Sequence, residues 1–127
     1  MDEEWMWSDA WVLLSIGGAD ASTGSTLVEV IGVADYRNHA ILTEPEFTQA
    51  VGRLLAAGLV GVDIAADRYW LRDAGRVVSQ HGGRGGSFEG VEAALRELGR
   101  PTTLGWALPA DMFDSAVEAY QEGFSKL

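Results

Sequence analysis

The sequence contains no cysteine and no long hydrophobic run, and each absence excludes a class of protein. Without cysteine there are no disulfides, no thiol nucleophile and no thiolate metal site, which fits a reducing compartment. The longest apolar run, around residues 10–16, is interrupted by Ser15 and is far shorter than the ~20 residues that a membrane span needs. The first residues, Met-Asp-Glu-Glu, have the wrong charge for a secretory signal. We therefore expect a cytoplasmic protein with no membrane association.

Positive charge is also scarce. Nine Lys and Arg stand against 19 Asp and Glu, so that the 127 residues carry a formal net charge of −10. Nucleic-acid binding draws most of its affinity from basic side chains on phosphates, so this balance makes a nucleic-acid partner doubtful. Hydrophobic residues make up 47% of the chain, enough for a packed core, and five Trp leave room for an exposed aromatic patch.

Three amphipathic segments at the start of the sequence predict three helices. The first covers residues 8–16 and is ended by two glycines. The second begins near residue 26 and the third near residue 44, and both have acidic residues in the first turn, where the helix dipole favours them. The residues expected to cap these helices are Ser8 or Asp9, then Ser25 or Thr26, the latter with Glu29 three residues on as in a capping box, then Thr43 with Pro45 in the first turn behind it.

The hydrophobic period changes after the third helix. Val60, Val62 and Ile64 alternate with Gly61 and an acid, as they do in a strand, and residues 68–71 read as a return strand after a short tip. An Asp-Ala-Gly sequence then begins a fourth helix. The predicted order is therefore three helices, a β-hairpin and another helix.

A glycine-rich segment separates the last third of the chain from this unit. Residues 81–86 predict a flexible linker. Ser87 caps a helix whose buried face includes Val91, Leu95 and Leu98, and Pro109 opens the last helix. The predicted organisation is a first unit over residues 8–80, a glycine-rich linker over 81–86 and a helical C-terminal extension over 87–127.

Two short runs in the first unit resemble a known family. Residues 47–60 read Phe-x-x-Ala-x-x-x-Leu-x-x-Ala-Gly-Leu-Val, and residues 69–76 read Tyr-Trp-Leu-x-Asp-Ala-Gly-Arg. They resemble the end of the recognition helix and the helix after the wing in bacterial winged helix-turn-helix regulators of the MarR and PadR kind. The resemblance covers residues 8–80. It implies a mainly α fold with a small β-hairpin (α+β): a winged helix-turn-helix, here with a helical C-terminal extension.

The resemblance implies that the third helix would enter the DNA major groove, but its charges do not suit that role. Gln49 and Arg53 are its outward candidates for reading bases, and the wing tip adds Arg68. Glu44 and Glu46 lie where phosphates would approach. We predict a non-catalytic winged-helix module that mediates protein–protein interaction or dimerisation. The alternative is a DNA-binding transcriptional regulator that uses Gln49, Arg53 and Arg68.

Only one pair of residues suggests catalysis. Asp35 and His39 are four residues apart, so a continuous helix would place them on one face as an acid–base pair or as two metal ligands. No third ligand is suggested nearby. The glycine-rich segment lacks the Lys-Ser/Thr ending of a phosphate loop, and the nucleophile pattern Gly-x-Ser-x-Gly is absent. We predict that the chain is not an enzyme and uses no cofactor or metal.

The last helix carries an aromatic seam. Its members recur at intervals of four, three and four residues: Phe113, Val117, Tyr120 and Phe124. Two interpretations stay open. The seam packs back onto the chain, or it forms the contact of a homodimer or of a complex with another protein, since MarR-like and PadR-like proteins pair through helices outside the winged core.

Overall fold

The computed structural model describes residues 4–102 and 104–125, with side chains up to residue 123, as six helices and one two-stranded antiparallel sheet. This content confirms the predicted α+β class, mainly helical with a single hairpin. The elements are α1 (Trp7–Ser15), α2 (Leu27–Asn38), α3 (Glu44–Ala56), β1 (Val60–Asp63), β2 (Arg68–Leu71), α4 (Asp73–Gln80), α5 (Phe88–Glu97) and α6 (Met112–Ser125).

Helices α2 and α3 begin with the predicted caps. The Thr26 hydroxyl accepts a hydrogen bond from the Glu29 backbone N–H at 3.1 Å, and the Glu29 carboxylate accepts from the Thr26 N–H at 2.8 Å. Thr43 and Glu46 repeat this exchange at 3.3 and 3.0 Å. Each of these reciprocal pairs of hydrogen bonds, known as a capping box, satisfies backbone donors that a helix start leaves unpaired. The two predicted helix starts are confirmed.

Helix α1 begins earlier than the sequence suggested. Met6 is the capping residue, and the Asp9 carboxylate accepts a hydrogen bond from the Met6 N–H at 2.7 Å. Asp9 therefore supports the helix start from its first turn. The predicted caps, Ser8 or Asp9, were wrong by two or three residues, because Asp9 is drawn into the core, where it is 0% exposed.

The hairpin pairs Val60 with Leu71 and Asp63 with Arg68. The free edge of β2 is tied to the connection between α1 and α2 by a single bridge. There the Ser25 N–H donates to the Tyr69 carbonyl at 2.7 Å, and the Tyr69 N–H donates back to the Ser25 carbonyl at 2.8 Å. The hairpin is thereby fixed to the chain that enters α2.

Helix α4 starts against the base of the hairpin, where there is no room for a side chain. The Arg72 N–H donates to the Leu59 carbonyl at 2.9 Å, and a Cβ on Gly75 would overlap that same carbonyl oxygen. Gly58, at φ +73°, ends α3 in the left-handed conformation that favours glycine. Gly58 thus allows the close turn that leads into β1, and Gly75 allows α4 to lie close to the base of the hairpin after β2.

The glycine-rich segment between α4 and α5 is a compact turn. The Gly83 N–H donates to the Gln80 carbonyl at 3.0 Å, and the Ser87 N–H donates to the Gly82 carbonyl at 2.8 Å. The Ser87 side chain then accepts from the Gly90 N–H at 3.2 Å, which confirms Ser87 as the cap of α5. The turn brings α5 back against α1.

Helix α5 contributes to the same hydrophobic core as the first three helices. Val91 and Leu95 are fully buried, as predicted, whereas Leu98 is 54% exposed. The prediction for Leu98 was wrong because the last helical residue is Glu97, so Leu98 lies beyond the buried face. The largest fully buried side chains of the whole cluster are Tyr69, Phe47, Leu13, Leu27, Ile31, Leu42, Leu54, Leu59 and Leu95.

Helix α6 begins at Met112, three residues after the predicted start at Pro109. The Met112 N–H donates to the Pro109 carbonyl at 3.2 Å, and Asp111 has φ +67°. A left-handed residue cannot belong to a right-handed helix, so residues 109–111 form a turn instead. From there α6 runs along α2.

Candidate interaction surface

The outer face of α3 is crossed by a distant part of the chain. With 3.6 residues per turn, the positions opposite the core are Pro45, Gln49, Gly52 and Ala56. Gly52, at the centre of this face, is buried, and its carbonyl accepts a hydrogen bond from the Leu104 N–H at 3.3 Å. The segment between α5 and α6 therefore contacts the centre of the face that a DNA-reading helix would present to the groove, while Pro45, Gln49 and Ala56 on that face are exposed.

Trp106 anchors that segment to the core. Its ring centroid lies 5.9 Å from that of Phe47 and 6.3 Å from that of Tyr69, both in the edge-on geometry that aromatic rings favour. Phe47 also contacts Phe113 of α6 at 5.7 Å. Because Phe47 belongs to α3, the covering segment is held by the same helix that it covers.

Arg53 points into the protein and not outward. Its Nη1 donates to Asp9 Oδ1 at 2.9 Å, and the two side chains are 10% and 0% exposed. Among the described residues the buried Arg53 Nε has no hydrogen-bond partner. Burial raises the pKa of the Asp9 carboxyl, and the Met6 N–H and Arg53 oppose that shift. The predicted outward orientation of Arg53 was wrong, because its guanidinium neutralises a carboxylate of α1.

The tip of the hairpin is folded onto the start of α2. Asp67, at φ +54°, accepts a hydrogen bond from the Leu27 N–H at 3.0 Å, so it serves as an additional N-terminal cap. Arg68 is half-buried and donates from Nη1 to the Asp67 carbonyl at 3.0 Å. Gln49 is exposed on α3. Of the three candidate DNA contacts, Gln49 and Arg68 reach the surface and Arg53 does not.

Asp35 and His39 do not share a helix face. His39 follows the last residue of α2 in the left-handed conformation, at φ +54°, and its side chain is exposed. Asp35 faces α6 instead, where the Tyr120 hydroxyl donates to its Oδ2 at 2.7 Å. This hydrogen bond raises the pKa of Tyr120. Within the described parts of the chain, no three His, Asp or Glu side chains are grouped to hold a metal ion.

The seam of α6 contacts the chain itself at each described position. Phe113 is 2% exposed against Phe47, Val117 packs on the edge of the core, and Tyr120 is bonded to Asp35. The Phe124 side chain lies outside the described residues. The first interpretation of the seam, packing onto the chain, therefore holds for Phe113, Val117 and Tyr120.

A different set of residues forms an exposed aromatic surface. Tyr36, near the end of α2, is 82% exposed, and Trp7, the first residue of α1, is 39% exposed. The Trp7 ring contacts the half-buried Phe88 ring at 4.8 Å in an edge-on arrangement. We call Trp7, Tyr36, Arg37, His39 and Phe88 the aromatic surface, because Tyr36 and Phe88 line one depression together with Arg37 and His39.

This depression is open and has a volume of about 320 Å³. Its floor includes Gly85 and Gly86 of the turn before α5, and the Arg37 guanidinium lies so close to Gly86 that a Cβ there would overlap it. Among the residues that the structure describes, those that line the depression include no carboxylate: they are Tyr36, Arg37, His39, Gly85, Gly86 and Phe88. A depression whose described lining has an arginine and no acid is unusual in a chain of net charge −10.

The sequence left room for an exposed aromatic patch but did not predict these residues, although one signal pointed to Tyr36. The buried stripe of α2 consists of Leu27, Val30, Ile31 and Ala34, and Tyr36 lies off that stripe. A large aromatic on the solvated side of an amphipathic helix is a candidate contact residue. Trp7 and Phe88 gave no such signal, because only the packing of α5 on α1 brings their rings together.

Comparison with protein-family models, with curated proteins and with solved structures gives no match for this chain. None of the helices within residues 4–102 and 104–125 combines the length and apolar character that crossing a membrane requires. The geometry of α3, α2 and the aromatic surface therefore provides the basis for a functional proposal.

Proposed function

We propose that this chain is a non-catalytic winged-helix module that binds a protein partner and does not read DNA. One observation carries the proposal: Leu104 is hydrogen-bonded to Gly52 at the centre of the outer face of α3. A recognition helix must lay that face into the major groove, which accommodates little more than the helix itself. A second stretch of backbone on this face is incompatible with such docking.

The winged-helix part of the proposal is supported by the order and pairing of the elements. Three helices precede a hairpin, and the connection before α2 bridges the outer edge of β2 through Ser25 and Tyr69. The order of these elements is the one that the sequence resemblance implies. The close contact of Gly75 with Leu59 also agrees with an Ala-Gly-Arg run at the start of the helix after the hairpin, where a larger side chain than glycine would not fit.

The positions of the arginines also argue against DNA binding. Arg53 is neutralised by Asp9, and Arg76 pairs with Asp73 at the start of α4. Phosphate contacts require cations on one face, and their release of counterions supplies most of the non-specific affinity. The regulator alternative keeps Gln49 and Arg68 as its surface contacts, which is a weak basis for binding a duplex.

The aromatic surface is the region that we assign to partner binding. Large aromatic side chains are enriched at the centres of protein interfaces, where they add contact area at a low cost in side-chain entropy. The phenol ring of Tyr36 is 82% exposed and is not part of the core. The α6 seam, in contrast, packs on the chain itself where its side chains are described. Partner binding is therefore assigned to the end of α2 and not to α6.

Fluorescence anisotropy with a labelled mixed-sequence DNA duplex, titrated over a range of salt concentrations, tests the proposal. We expect no binding even at low salt, where electrostatic attraction is strongest. Binding that weakens steeply as salt increases would overturn it and favour the regulator alternative. Gln49→Ala and Arg68→Ala variants would then identify the contact residues, since only a DNA-reading protein should respond to them.

Light scattering decides between a homodimer and a separate partner. We expect a monomer, because Phe113, Val117 and Tyr120 of the seam contact their own chain. A dimer that is broken by Tyr36→Ala would place the self-contact on the aromatic surface. A dimer unaffected by this variant would contradict the assignment of binding to α2.

A further inference from the structure

We propose that the aromatic surface binds an acidic segment of a partner protein that carries aromatic or aliphatic anchor residues. The inference rests on the proposed function, because it names the partner chemistry of the same surface. The juxtaposition that carries it is the exposed Tyr36 and the half-buried Phe88, which line one depression with Arg37, where the described residues include no carboxylate.

The apolar part of the surface has a rigid support. Trp7 lies between Phe88, at 4.8 Å, and the buried Trp11, at 5.5 Å. The Trp11 indole N–H in turn donates to the Ala34 carbonyl of α2 at 2.9 Å, which links the stack to the helix that carries Tyr36. Rings that are already fixed lose little entropy when a partner side chain packs against them. The Trp7 and Phe88 rings are therefore preorganised for an apolar anchor.

The polar part selects the charge of the partner. Arg37 lies at the carboxyl end of α2, and its guanidinium covers Gly86, next to the amino-terminal end of α5. His39 lines the same depression. Two other depressions mix the signs of charge, with Glu4, Arg96 and Arg100 in one and Asp73 with Arg72 in the other. Among these three, the depression of the aromatic surface is the one whose described lining includes a cation, Arg37, and no acid.

This charge pattern favours an acidic peptide over two other occupants. A second copy of the chain would bring its whole net charge of −10 against the same charge, whereas a short acidic segment brings only a few carboxylates to the depression at Arg37. A nucleic acid would present a phosphate for each nucleotide, and one arginine with one histidine matches few of them. A peptide with one or two carboxylates beside an apolar anchor matches both the charge and the rings.

The direct test uses the full chain and two labelled peptides. The first contains three repeats of Glu-Phe-Glu-Leu, and the second contains three repeats of Lys-Phe-Lys-Leu. Anisotropy should show tighter binding of the acidic peptide, and NMR should locate it through shifts of the Trp7 indole N–H and the Gly86 amide. Arg37→Glu should weaken binding of the acidic peptide by about tenfold or more, the scale of a typical interface anchor.

Matched variants separate this effect from a change in overall charge. Arg72→Glu makes the same charge change at another exposed arginine, so it should leave the affinity within a factor of about two, well below one anchor residue. Tyr36→Ala should weaken binding, whereas Val77→Ala, at an exposed apolar position of α4, should not. Thermal melts should be similar for all four variants, because each side chain is exposed.

Several results would overturn the inference. They are equal affinity for the two peptides, equal effects of Arg37→Glu and Arg72→Glu, shifts that avoid Trp7 and Gly86, or tighter binding of labelled single-stranded DNA than of the acidic peptide at the same surface. Absence of binding by both peptides also overturns it. The proposed function is tested separately by the duplex titration, so a protein that binds neither peptide nor duplex refutes only the partner chemistry.

Discussion

Helices α2 and α3 are consecutive and almost equal in length, at 12 and 13 residues, yet their outer faces differ in whether another part of the chain contacts them. In α3 the face opposite the core is covered at Gly52 by the chain at Leu104. In α2 the corresponding face leaves Val33 and Tyr36 exposed. Both helices have an amphipathic pattern that identifies the buried side. What covers the other side depends on residues that are distant in sequence.

Small residues explain where the second layer of chain can approach. Gly52 has no side chain, so the backbone at Leu104 reaches the carbonyl of α3. On α2 the corresponding small residue is Gly32, where a Cβ would lie 3.1 Å from Tyr120 Cε1, so α6 packs on that flank. Tyr36, one turn after Gly32, stays 82% exposed, whereas Arg37 lies against Gly86 of the turn before α5. The exposed ring of Tyr36 therefore remains for a partner.

Arg53→Met should have the largest effect on this comparison. The variant leaves the Asp9 carboxylate in the core without its cation, and breaking a buried ion pair in this way costs about 3–5 kcal/mol. Urea unfolding measures the loss. The double variant Asp9→Leu with Arg53→Met removes both charges and should recover most of the stability. A single variant as stable as the wild type would show that the pair does not hold α3 to α1.

Trp106→Ala should release the covering segment at a cost of about 2 kcal/mol, below the range for truncation of a fully buried aromatic residue, because Trp106 is half-buried. The variant removes the ring contacts with Phe47 and Tyr69. Leu104→Ala is the control, because that side chain is 50% exposed and its loss should change stability little. Differential scanning fluorimetry compares the two. Equal melting temperatures for both variants would mean that Trp106 does not anchor the segment.

Tyr120→Phe should have a smaller effect, about 1 kcal/mol, the usual contribution of one hydrogen bond. The variant keeps the ring against Gly32 and removes only the donor to Asp35. Tyr36→Phe removes a phenol hydroxyl from an 82% exposed ring and should be neutral. Guanidinium unfolding of the two variants measures the difference. An equal response would show that the bond adds nothing to the packing of α6 on α2.

The smallest expected effect is on pH dependence. The hydrogen bond to Asp35 raises the pKa of Tyr120 above its ordinary value of 10.0. The folded state then holds the phenol proton more tightly than the unfolded state, so this stabilisation is present below pH 10.0 and is lost as pH rises toward the raised pKa. The stability difference between the wild type and Tyr120→Phe should shrink over that range. A difference that stays constant would contradict the assigned cause.

Much of the local structure could be predicted because its causes are local. The boxes at Thr26 and Thr43 place donors and acceptors three residues apart, and the alternation from Val60 onward is typical of a strand. Arg53 could not be oriented in this way. Its position on the helix wheel borders the polar face, and only the location of Asp9 decides which way the guanidinium points.

The candidate surface was predicted least, for a related reason. Tyr36 could be recognised as lying off the buried stripe, whereas Trp7 and Phe88 are the first residues of helices that are far apart in sequence. Their contact exists because the turn at residues 81–86 returns α5 to α1. A pattern of residues specifies the faces of helices but not the partner of each face.

By itself the sequence determined the helices, the hairpin, the caps at Thr26, Thr43 and Ser87, and an acidic balance that opposes binding to phosphate. These follow from hydrogen bonds within one turn, from the hydrophobic period and from counting charges. Only the tertiary structure decided that Arg53 is buried, that α3 is covered at Gly52 and that Tyr36 and Phe88 line one depression. Those outcomes depend on contacts between distant segments, whose free energies are set by packing, desolvation and charge pairing in three dimensions.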